Sequence, residues 1–136
     1  MTYLTRLCLA LALALGLSGP IQAQDTEIEA TIQSQFDAFL ADDVETAFSY
    51  ASPMIKGLFG TPQNFGMMVR QGYPMVWRPD GVRYLSLREE NGRTIQRVQI
   101  RDGAGMLHWL DYDMVQSDAR WQINGVRFVQ MPGVGA

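Results

Sequence analysis

The sequence is poor in the side chains that most often carry chemistry. Cys8 is its only cysteine, Lys56 its only lysine and His108 its only histidine in 136 residues. It has no Gly-x-Ser-x-Gly elbow and no phosphate-cradling glycine loop, so the common hydrolase and nucleotide-binding signatures are missing. It also lacks a basic excess: the formal net charge is −3, a poor match to nucleic acid. The longest apolar run, Leu7 to Leu17, has eleven residues, whereas a membrane span needs about 20.

That run reads as a secretory signal peptide. Arg6 supplies the positive start, Gly19-Pro20 breaks the helix, and Ile21-Gln22-Ala23 is an acceptable cleavage site. The expected organisation is residues 1–23 as a cleaved signal, 24–131 as one domain and 132–136 as a frayed tail. Cleavage after Ala23 leaves 136 − 23 = 113 residues and removes Arg6, so the net charge becomes −4. Cys8 leaves as well, so the exported domain has no disulfide, thiol nucleophile or thiolate ligand. With one histidine and no calcium-loop spacing, no metal site is expected; no cofactor is implied, and no membrane span remains.

The first half has helical period. Ile28, Ile32, Phe36, Phe39 and Leu40 form one stripe, predicting a helix from about Thr26 to Ala41 capped by Asp25. Asp43 caps a short second helix through Ala51, and Ser52-Pro53 ends it. Thr61-Pro62 opens a third helix carrying Phe65, Met68 and Val69. Gly72 is expected as its left-handed cap, folding Tyr73 back onto Met68, and Pro74 then leads into a short extended piece.

From Arg78-Pro79-Asp80-Gly81, a turn, the period becomes two. Strands are expected at Val82–Glu89, Arg93–Arg101, Met106–Val115 and Trp121–Val129. Asn91-Gly92 marks a tight hairpin that sets Leu87 opposite Gln96 and Leu85 opposite Val98. Leu85, Leu87, Val98 and Ile100 then face the core, and Tyr84, Arg88, Arg97 and Arg101 face outward. Trp121 and Ile123 differ in parity from Val126 and Phe128, which predicts a bulge at Asn124-Gly125. Helices followed by an antiparallel meander define an α+β fold, with the curved sheet cupping the helices as a cone with an open mouth.

These segments resemble a known family. "QFDAFLADDVETAFSYASP" and "TPQNFGMMVRQGYPMVWRP" look like domain-of-unknown-function family 4864, whose members are exported bacterial proteins. "SDARWQINGVRF" looks like the last strand of the wider nuclear-transport-factor-2-like superfamily. The resemblance covers Ile28 to Phe128 and implies the cone-shaped fold and a periplasmic location. The superfamily includes isomerases, cyclases, binding modules and association domains, so the fold alone does not choose a function.

His108 could act as a pocket acid or base, or be a hydrogen-bonded sheet residue. Asp111 and Asp113 share one strand face and could serve as an isomerase-type base; on an outer face they would pair with a neighbouring arginine. The loop 102–105 decides which face is which. Arg93, Arg97 and Arg101 read as a solvated stripe. The leading expectation is a non-enzymatic module that either takes a small apolar ligand at the cone's mouth, among Phe65, Tyr73, Trp77, Trp109 and Tyr112, or forms a homodimer through the outer sheet face. The alternative is a ketosteroid-isomerase-like or cyclase-like enzyme using His108 or Asp111 as base, with Tyr73, Tyr84 or Tyr112 orienting the substrate. Met67, Arg70 and Met75, in the same aromatic- and Met-rich stretch as Trp77, read either as a pocket lip or subunit contact or as a second core layer.

Overall fold

The computed structural model describes residues 20–133; the apolar run expected as a signal lies outside them. Among these residues five helices precede four strands: α1 (Pro20–Leu40), α2 (Val44–Ser49), α3 (Pro53–Phe59), α4 (Pro62–Gly72), α5 (Pro74–Trp77), β1 (Gly81–Glu90), β2 (Arg93–Arg101), β3 (Leu107–Ser117) and β4 (Arg120–Val129). The strands form one open antiparallel meander in the order β1-β2-β3-β4. The fold is α+β.

Four of the five residues of the expected α1 stripe lie on its buried face, whereas Leu40, at the helix end, is exposed. Ile28, Ile32, Phe36 and Phe39 are all at most 1% exposed. They pack on the inner sheet face, where Val98, Ile100, Leu110, Tyr112 and Met114 lie in the same core cluster. The helix already includes Pro20–Asp25, so Asp25 lies inside it and does not cap it. Ala and Gln favour helix, and proline is tolerated in a first turn because its missing N–H has no helical partner there.

Ser52-Pro53 does not only end α2; it opens α3. The Ser52 hydroxyl accepts from the Ile55 N–H, and Pro53 takes the first turn, repeating the arrangement of Thr61 and Pro62 at α4. Gly60, with φ 77°, closes α3 in a left-handed conformation. Gly72 stays helical, and α4 ends at Tyr73 with φ −137°. Tyr73 therefore turns toward the sheet: its ring stacks on Phe128 at 5.0 Å and 9°, and its hydroxyl donates to the Val126 carbonyl at 3.1 Å. The piece after Pro74 is the helical turn α5, with Met75 and Val76 buried. Gly66 lets α2 and α4 approach closely, since a Cβ there would sit 2.6 Å from Val44 Cγ1.

The Asn91-Gly92 turn is present, with positive φ at both residues (52° and 76°) and Glu90 opposite Arg93. Leu87 faces Gln96, but the pairing then slips between Tyr84 and Leu87, so Tyr84, not Leu85, faces Val98. The buried Gln96 side chain holds this bulge, donating to the carbonyls of Leu85 (3.2 Å) and Ser86 (3.4 Å). Tyr84 consequently packs on the core and donates to Gln33 Oε1 at 2.9 Å, contrary to its expected outward direction. The bulge expected in the last strand is where the parity slip put it: Asp113 pairs with Gly125 and Met114 with Ile123, leaving Asn124 over. Asn124 Oδ1 accepts from the Ser52 hydroxyl at 2.8 Å, and the Ser52 N–H donates to the Ile123 carbonyl at 2.8 Å. The bulge thus anchors α3 against β4.

Candidate functional site

Anchoring α3 there opens an apolar pocket of about 200 Å³ between α3, α4 and the inner face of β3 and β4. Ile55 and Phe59 come from α3, Phe65 and Val69 from α4, and Tyr112 and Val126 from the sheet. Gly125, beside the bulge, lines it without adding a side chain. Leu58, 71% exposed, stands at its edge. The lining has no Asp, Glu, His, Lys or Arg; its titratable groups are Tyr73 and Tyr112.

The polar groups of the pocket differ in how they are satisfied. The Tyr73 hydroxyl is bonded to Val126. The Gln35 side-chain nitrogen, on a residue that also lines the pocket, donates to the Ala47 carbonyl at 3.1 Å. Tyr112 is fully buried, with its ring edge-on to Phe36 at 6.1 Å. Among the described residues its hydroxyl has no hydrogen-bond partner. Burial pushes its phenol well above the ordinary tyrosine range, so the group stays neutral and keeps its proton to donate.

Asp111, the residue before it, points to the other face of β3 and is equally buried, with its side chain 1% exposed. Arg97 binds it with two nitrogens, Nε to Oδ1 at 2.9 Å and Nη2 to Oδ2 at 3.2 Å. Arg88 Nη2 donates to Oδ2 at 2.7 Å, and Arg127 reaches the same oxygen at 3.4 Å. Burial alone would raise the carboxyl, but the hydrogen bonds from Arg97 and Arg88 outweigh it and hold the group down at about 2. A carboxylate so stabilised is a weak base.

The remaining candidates lie apart from the pocket. Asp113 bonds Arg93 at 3.0 Å on the outer face. Trp109 is also there, beneath Arg97 at 5.3 Å and donating to Gln99 Oε1 at 3.0 Å. His108 has the inward parity of Leu110 and Tyr112 but sits at the strand's start, where its Nε2 meets Asp102 Oδ2 at 2.8 Å. Asp102 is committed to its own loop as well, its other oxygen accepting from the N–H groups of Ala104 and Met106. Trp77 is half-buried against Phe39 at 5.6 Å, with Arg78 over its ring at 4.9 Å. Of the five ligand candidates, then, Phe65, Tyr73 and Tyr112 line one pocket, whereas Trp77 and Trp109 are elsewhere. Met67 and Arg70 are exposed, and Met75 is in the core.

The sequence reading missed the contribution of α3. Its signal was present in the Ser52-Pro53 pair, which opens a helix as readily as it closes one. Among the described residues no three His, Cys, Asp or Glu side chains gather as a metal set, and no helix is long and apolar enough to cross a membrane.

The described residues form a small α+β domain with an apolar pocket between α3, α4 and the sheet. Residues 21–136 match the family described as Domain of unknown function (DUF4864), and the chain belongs to this family. No curated protein and no solved structure matches the chain.

Proposed function

We propose that this chain is an exported, non-enzymatic binding module that takes a small apolar molecule in the pocket between α3, α4 and the sheet. The observation that carries the reading is the pocket itself: about 200 Å³, walled by aliphatic and aromatic side chains and free of charged groups. Sites of this kind bind through burial of apolar surface, with a few polar groups fixing orientation. Helices followed by a four-stranded meander are in keeping with a nuclear-transport-factor-2-like cone, and the Arg6–Ala23 pattern supports export into the periplasm.

Acid–base catalysis is less well supported. His108, Asp111 and Asp113 do not line the pocket, and Asp111 is held by three arginines. Homodimer formation through the outer sheet face competes with the ion pairs that already cover it, and it is read out in the same experiment. Native mass spectrometry of protein purified from the exported fraction, with and without added indane, is expected to give a chain lacking residues 1–23 that binds one indane. Calorimetry should give a Kd on the order of a millimolar or tighter for so small a molecule. A chain that binds no indane overturns the ligand reading, and retention of the leader overturns export.

A further inference from the structure

The pocket's dimensions and its one unsatisfied group narrow what it can hold. An apolar cavity of about 150 Å³ accepts a benzene ring, so about 200 Å³ suits a substituted single ring or two small fused rings. No cation lines it, so a carboxylate or phosphate would lose its hydration with no compensating partner. No anion lines it either, which disfavours amines for the same reason. A ligand's neutral carbonyl or ether oxygen can be matched. Of the buried polar atoms without a partner among the described residues, only the Tyr112 hydroxyl belongs to a residue lining this pocket. The Tyr73 hydroxyl and the Gln35 side-chain nitrogen already donate to backbone carbonyls.

Resting on the ligand reading above, we infer that the pocket selects a neutral, ring-sized molecule bearing one hydrogen-bond acceptor, which receives the proton of the Tyr112 hydroxyl. An unpaired buried hydroxyl carries an uncompensated desolvation cost in the free protein. A bound acceptor recovers it, and a pure hydrocarbon does not. The hydroxyl is sealed beneath the pocket surface, so the acceptor reaches it as lining side chains adjust around the ligand. Tyr112 is thus a specificity residue, while the aromatic and aliphatic walls supply most of the affinity.

The test pairs two probes of nearly equal shape, indane and 1-indanone, with wild type and Tyr112→Phe, each titrated by calorimetry or ligand-observed NMR. In wild type 1-indanone is expected to bind about fivefold to tenfold tighter than indane. In Tyr112→Phe the order reverses, because the ketone oxygen is buried with nothing to meet it. Equal binding of the two probes by wild type, or a ratio unmoved by the substitution, overturns this inference while leaving the ligand reading standing. Failure of wild type to bind either probe overturns both. Tyr112→Phe removes a group that makes no hydrogen bond among the described residues; should that variant nevertheless fail to fold, the wild-type ratio of the two probes decides alone.

Discussion

Asp111 and Tyr112 are neighbours in one strand, and both are buried, yet their polar groups are treated in opposite ways. The Asp111 carboxylate is surrounded by arginine nitrogens from β1, β2 and β4. The Tyr112 hydroxyl, on the opposite face, meets no hydrogen-bond partner among the described residues. A fully paired buried charge is a closed structure, costly to open and with little left to offer a substrate. A buried donor without an acceptor is an open one, and proteins rarely retain such groups without a reason. The outer face of β3 therefore holds the sheet together through ion pairs, and the inner face is the one on which the proposed recognition rests.

The largest expected effect comes from breaking the closed side. Asp111→Ala leaves Arg97 and Arg88 facing each other and should cost about 2–4 kcal/mol in urea unfolding, reduced from the fully buried case because the arginines are partly solvated. Unchanged stability would mean that the cluster is ornamental. Acid should act on the same group. Its folded pKa is depressed to about 2 from an ordinary 3.8, so its contribution is complete above about pH 4 and fades as the pH falls toward 2. The loss is about 2–3 kcal/mol, and Asp111→Asn should flatten that part of the stability–pH curve.

Smaller effects are expected on the open side. Val126→Phe, at a half-buried lining position, fills the pocket and should weaken indane binding by about tenfold or more while the chain remains folded. Normal indane affinity in that variant would place binding elsewhere. The two pocket tyrosines sharpen the contrast further. Tyr73→Phe removes the hydrogen bond to Val126 and should cost about 1 kcal/mol. Tyr112→Phe removes a hydroxyl with no partner among the described residues and should be neutral or slightly stabilising in the same urea titration. A loss at Tyr112 equal to that at Tyr73 would show that its hydroxyl is already paired.

Much of this arrangement can be read from the sequence where one local rule dominates. The α1 stripe, the Thr61-Pro62 start, the Asn91-Gly92 hairpin and the Asn124 bulge each follow from periodicity or turn chemistry. The misses occur where a tertiary contact decides. Leu85 and Leu87 alternate well in an unbroken strand, and it is the Gln96 amide, reaching from β2, that stabilises the slip and turns Tyr84 inward. Gly72 has the composition of a left-handed cap, but Tyr73 is drawn to Phe128 and the helix ends differently. Phe65 was legible on the core side from the helical stripe it shares with Val69. The faces of Tyr112 and Trp109 were not, since both depend on the loop that Asp102 organises through its bonds to Ala104 and Met106.

The central claim is that the inner face of β3 is a recognition surface, and locating a bound probe tests it most directly. Nuclear Overhauser contacts measured on the complex with 1-indanone should connect the probe to the Val69 and Val126 methyl groups and to the Tyr112 ring. Contacts confined to other parts of the surface, or their absence at saturating probe, would contradict the account.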